Sequence, residues 1–167
     1  MNLPKDVAAF KREIVAALRE NASLEIKEMT RIAREAAEAA SHEENKPEND
    51  KDMRSTEASY IARGQAERAR SLEHGLLVLS NMPLRVFEPD EAIQASALVQ
   101  LSLGGTSTLL FLVSGGGGVR VNVRGIDIQS VLTTSPMGSA LLGLSEGDEP
   151  EVRTPQGLKT YEIERVL

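Results

Sequence analysis

Apolar positions in the first eighty residues recur every three or four places. Val7, Phe10, Ile14 and Ala17 share one helical face; after a phase slip, Ile26, Met29, Ala33, Ala36 and Ala40 share another. Asn21 and Ser23 sit at the slip, where the pattern predicts a break or kink. A second helix opens in "STEASY", with Ser55 or Thr56 as N-cap, and its stripe runs Ile61, Ala62, Ala66, Ala69, Leu72, Leu76 and Leu79. Helices over 4–42 and 55–80, joined by a polar segment, predict an antiparallel hairpin with a largely alanine seam near its tip. Thirty-odd helical residues span roughly 50 Å.

Beyond residue 82 the period becomes two. Val119, Val121 and Val123 alternate with polar residues, Ile126 and Ile128 follow, and "TLLFLV" at 108–113 reads as a strand buried on both faces. "SGGGGV" between them reads as a flexible hairpin connection. "EVRTPQGLKTYEIERV" predicts a second hairpin with Pro155 in its turn, and "MGSALLG" a short helix closed by Gly143. Residues 83–167 hold eleven of the 13 glycines and five of the 7 prolines, which sets a boundary near "SNMPL". The expectation is an α+β chain. Residues 1–82 form a helical coiled-coil hairpin, and 83–167 a small antiparallel sheet domain with one short helix.

Composition narrows the function. A net charge of -6 argues against a large nucleic-acid footprint, so no strong independent binding to nucleic acid is expected. The chain has no Cys, which excludes a disulfide framework and any Cys-ligated metal. "MNLPKDVAAFKREIV" becomes charged too early for a secretory signal and no apolar run approaches a membrane span, so a cytoplasmic protein away from the membrane is expected. With aromatic residues at 3% and no Trp, the core must be aliphatic.

The densest chemistry lies in the joining segment, "SHEENKPENDKDMRST". It gathers Glu43, Glu44, Glu48, Asp50 and Asp52 around Pro47, with Glu57 just beyond, and Lys46, Lys51 and Arg54 offset them only in part. A solvated acidic loop is one reading. The other is a set of carboxylates, held near 43–57 at a hairpin tip, that act inside a partner's cavity. The remaining motifs read as structural. "GGGG" at 115–118 lacks the Lys-Ser/Thr of a phosphate-binding loop, His42 and His74 show no metal-ligand spacing, and Asp148 reads as a turn residue.

"TTSPMGSALLGLSEGDEPEVRTPQGLKTYEIERV" resembles the C-terminal signature of the GreA/GreB transcription elongation factors. The shared elements are Ser135-Pro136, Ala140-Leu141-Leu142-Gly143, Gly147-Asp148, Thr154-Pro155 with Gly157, and Tyr161-Glu162-Ile163. The layout, a helical hairpin with an acidic tip ahead of an FKBP-like domain, is similar too. The resemblance implies an accessory factor that is not itself an enzyme. Its partner is bacterial RNA polymerase: the C-terminal domain docks at the rim of the secondary channel and the hairpin enters it. Tip carboxylates share a Mg²⁺ ion with the polymerase, which then cuts the 3′ end of backtracked RNA, so contact with RNA is indirect. The resemblance implies no cofactor of the chain's own.

Two alignments of the tip are open. Matching the family's Ala-x-Tyr step to Ala58-Ser59-Tyr60 puts Met53 and Thr56 in the acidic positions, while a small shift brings in Asp52 and Glu57. The candidate catalytic residues are Asp50, Asp52 and Glu57, with Asp52 and Glu57 as metal ligands in complex with polymerase. The candidate partner contacts are Pro136 and Met137. The alternatives are a non-cleaving secondary-channel regulator and a coiled-coil interaction module. Prolyl isomerase activity is disfavoured because Phe87, Phe111 and Tyr161 are too few to line its pocket.

Overall fold

The computed structural model describes residues 3–43, 51–88 and 90–167, with side chains described in all of these except 41–43 and 51–55. Two long helices, α1 (Val7–Glu43) and α2 (Lys51–Ser80), precede the strands β1 (Leu98–Leu103), β2 (Thr106–Val113), β3 (Arg120–Val123) and β4 (Ile126–Leu132). A short helix, α3 (Pro136–Leu141), is followed by β5 (Glu151–Thr154), β6 (Gly157–Thr160) and β7 (Glu162–Val166). This is the α+β order that the periodicities predict.

Both helices differ from expectation at one point. α1 runs unbroken through Asn21 and Ser23. Neither residue breaks a helix; each costs only about 0.5 kcal/mol relative to alanine. α2 begins at Lys51, so Ser55 and Thr56 lie inside it rather than capping it. Lys51, Met53 and Arg54 are good helix formers, and they extend the helix one turn earlier.

The chain divides into two compact units. One is Glu20–His74; the other joins Met1–Arg19 to Gly75–Leu167. Within Glu20–His74 the helices form the hairpin, burying Met29, Ala40 and Ala69, with Arg68 Nη2 3.5 Å from Glu25 Oε1.

In the second unit the main sheet has the order β3-β4-β2-β1-β7, and β5-β6 form a separate two-stranded sheet. All pairings are antiparallel except β2 with β4, which run parallel from Leu109↔Ile128 to Val113↔Leu132. The "SGGGGV" segment is therefore not a hairpin connection. It carries the chain past β4 to an edge strand, and the hairpin is β3–β4. Physical fit explains the order. β2 is buried over Leu109–Val113 and needs a partner along each edge, whereas Arg120 and Asn122 suit β3 to an exposed edge.

Each sheet face has its own core. Val99, Leu101, Leu110, Leu112, Val131 and Ile163 pack with Leu141 of α3, Phe87 and Ile93. On the other face, Leu98, Leu109, Phe111, Val113 and Ile128 pack with Phe10, Ile14 and Leu18 of α1 and Leu79 of α2. The sheet face thus depends on both helix roots, and the compact division cuts the helices rather than the linker near Pro83. The glycines at 115–118 follow from the same packing. A Cβ on Gly115 would stand 2.7 Å from Val78 Cβ, and one on Gly75 would stand 3.0 Å from the Gly116 nitrogen. Helix and loop touch backbone to backbone there.

Candidate functional site

The site around α3 is fixed by local chemistry. Ser135 is the N-cap, accepting from Gly138 N at 3.1 Å while its hydroxyl donates to the Leu132 carbonyl at 2.7 Å. Pro136 follows at the first helical position, where its missing N–H leaves no bond unmade. The helix starts immediately after β4 only because residue 138 is glycine. A Cβ there would lie 2.0 Å from the Leu132 carbonyl oxygen. At the far end, Gly143 N donates to Ile93 O at 2.9 Å, which anchors α3 to the segment before β1.

Pro136 is left exposed, and Met137 is half-buried against the α3-side core. Both line a cleft of about 390 Å³ shared with Gln129, Leu132, Val152 and Pro155. The structure therefore brings the two expected partner contacts together on one concave, mainly apolar surface. The flanking turns are closed by side-chain hydrogen bonds. Asp148 Oδ2 accepts from Ser145 N at 2.8 Å, the turn role its sequence context indicates, and Thr154 Oγ1 donates to Gly157 O at 2.8 Å.

The acidic candidates are placed apart from this surface in the chain. Asp50 lies outside the described residues. Position 52 is the second residue of α2, and its side chain is outside the described set. Glu57 is exposed on α2. Positions 52 and 57 belong to one continuous helix, so a separation of five sets them about 140° apart around its axis. Among the described residues no group of three or more His, Asp or Glu gathers to hold a metal.

One pair of residues went unnoticed in the sequence. Lys11 is fully buried in the α1 stripe, and its Nζ donates to the Arg85 carbonyl at 2.5 Å and lies 4.7 Å from the Phe87 ring centroid. Burial, and then the nearby Arg85 charge, pull its pKa from 10.5 down to about 7, with Glu91 pulling the other way. The signal was available: Lys11 stands four residues after Val7 and three before Ile14, a stripe position. No helix among the described residues is long and apolar enough to cross a membrane.

Residues 125–167 match the family described as transcription elongation factor GreA/GreB, C-terminal. The chain is 30% identical over 95 residues to the transcription elongation factor GreA of Syntrophus aciditrophicus, covering 56% of this chain and 55% of that protein. It is 54% identical over 33 residues to the GreA of a Sulfurovum species, covering 20% of each. The chain thus spans about half the length of the first relative and a fifth of the second. Among solved structures, it is similar to the GreA factor homolog 1 (Gfh1) of Thermus thermophilus, with 22% identity and a TM-score of 0.38 over 90% of this chain and 95% of that one. The Gfh1 of Thermus aquaticus gives 23% and 0.40 over 90% and 94%. The family match spans β4, α3 and β5–β7. Residues 125–167 of this chain are thus similar to the C-terminal domain of the GreA/GreB transcription elongation factors.

Proposed function

We propose that this protein is a Gre-type accessory factor that docks on bacterial RNA polymerase through the α3–β5 cleft and presents its acidic α1–α2 junction to the polymerase active site by way of the secondary channel. The observation that carries this reading is the GreA/GreB match over residues 125–167, which contain Pro136, Met137 and most of the cleft lining. Pro136 and Met137 supply an apolar contact that an N-capped, glycine-seated helix holds in place. Glu57, and Asp52 or Asp50 beside the junction, supply anionic oxygens of the kind a hard cation prefers.

A lone exposed carboxylate makes no metal site, so any Mg²⁺ at the tip is held jointly with polymerase groups. When bound there, the ion lowers the pKa of an attacking water. The chain's own part is to dock, to reach and to add negative charge. The test is transcript cleavage in stalled, backtracked complexes with and without the protein. Shortened transcripts that depend on it support the reading. Loss of binding to core polymerase in a Pro136→Ala/Met137→Ala variant locates the docking surface. If the wild-type protein fails to bind core polymerase in a pull-down, the reading is wrong.

A second reading has a specific observation behind it. Five-residue spacing within one helix does not converge positions 52 and 57 on one point. This favours a factor that occupies the channel without promoting cleavage. Polymerase binding with no cleavage at saturating protein selects that reading.

A further inference from the structure

The segment between α2 and β1 is fastened at Arg85 from several sides. Its backbone nitrogen donates to Ser96 Oγ at 3.0 Å, its Nη1 donates to Gln94 Oε1 at 2.8 Å, and its Nη2 pairs with Glu91. Its carbonyl accepts from Lys11 of α1. The guanidinium carbon and the Lys11 amine stand 5.0 Å and 4.7 Å from the centroid of the Phe87 ring. Lys11 has no accessible surface, so whatever charge it carries stays out of water.

An ammonium gains the Phe87 ring face in this seat but loses all its water. The charged groups acting on it are Arg85, which repels it, and Glu91, whose carboxylate already pairs with Arg85. On α1 itself, Glu13 is taken by Arg124, and the neighbouring stripe residues Phe10 and Ile14 are apolar. A neutral amine keeps the bond to the Arg85 carbonyl without the desolvation cost.

We propose that Lys11 is a proton-operated clasp, holding the α2–β1 segment at Arg85 tightly when uncharged and loosely when it carries a proton. The open form titrates as an exposed lysine, near 10.5, and the seated form near 7. The open form therefore binds the proton more tightly between these values. Each unit of rising pH above about 7 favours the seated form up to tenfold, and below 7 both forms are protonated and the preference is level. The device works over the neutral to mildly alkaline range.

Hydrogen exchange of the Arg85 amide in the full chain, corrected for intrinsic rates, reads the opening. Between pH 6 and 7 the opening constant is expected to be nearly level, and between 7 and 9 to fall about tenfold per unit once clear of the midpoint. In Lys11→Met that slope vanishes. A wild-type opening constant independent of pH, or an unchanged slope in Lys11→Met, overturns the proposal. Should Lys11→Met not fold, the ¹³Cε resonance of Lys11 in wild-type protein decides the matter. A midpoint near 7 supports the clasp, and one above 9 overturns it.

Discussion

Arg124 grips Glu13 with two hydrogen bonds, Nε to Oε2 at 2.7 Å and Nη2 to Oε1. The pair ties the β3–β4 turn to the root of α1, beside the contact of Arg124 with the Phe10 ring at 5.9 Å. It is a surface bond between elements more than a hundred residues apart in sequence, and its geometry is bidentate.

The hydrogen bond from Arg124 holds the Glu13 carboxyl below its usual pKa of 4.5. A depressed carboxylate stabilises the folded state above its unfolded pKa, and that contribution disappears as pH falls through the lowered folded value. A double-mutant cycle with Glu13→Gln and Arg124→Gln should show favourable coupling at pH 7 and none at strongly acidic pH. Coupling that survives acidification would contradict the pairing.

Three glycines should respond differently to alanine. Gly64 lies in α2 with open space around its Cβ direction, so Gly64→Ala should stabilise by about 1 kcal/mol through helix propensity alone. Gly138→Ala drives a methyl into the Leu132 carbonyl and should cost about 3 kcal/mol or more. Gly115→Ala should fall between them, because its methyl meets Val78 Cβ at 2.7 Å and the Gly75 carbonyl at 3.0 Å, a milder overlap than the 2.0 Å at residue 138. Chemical denaturation of the three variants reads the order.

The sheet domain cut at residue 83 should not fold properly. Such a fragment keeps Leu98, Leu109, Phe111 and Ile128 but loses Phe10, Ile14, Leu18 and Leu79, which cover them. The expected outcome is dye-binding apolar surface and no cooperative unfolding transition. In the full chain, Leu79→Ala should cost about 2–5 kcal/mol, as buried leucine truncations do. A cleanly two-state fragment 83–167 would show that the helix roots are dispensable.

At the tip, the helix geometry sharpens the mutational test. On the proposed function, an ion shared with polymerase would take one of positions 52 and 57, which lie about 140° apart, rather than both. Either Asp52→Asn or Glu57→Gln should suppress transcript cleavage strongly while the other leaves it within a few-fold, and neither should alter polymerase affinity. Equal losses from both would mean that the helix unwinds at its start on docking.

Periodicity was enough to place both long helices, because Phe10, Ile14 and Leu79 sit at helical spacing, and "MGSALLG" ahead of Gly143 was enough to place α3. It could not order the sheet. Strand period is local, whereas inserting β4 between β2 and β3 is decided by which edges of Leu109–Val113 still need partners. The glycines at 115–118 misled for a related reason. Their meaning depends on Gly75, forty residues away, pressing against them. The family signature pointed to Pro136 and Met137 on the site, but nothing local reveals that Val152 and Pro155 complete the cleft.

The pairing of the first strand with the last, together with the covering of Phe111 by Phe10, has a consequence for synthesis. Emerging from the ribosome, the stripe around Phe10 and Ile14 must wait about a hundred residues for the β-strand it covers, and β1 keeps one edge open until β7 is made. The nascent chain therefore carries an uncovered apolar stripe until β2 has emerged. The sheet closes at its β7 edge only once residues 162–166 are made.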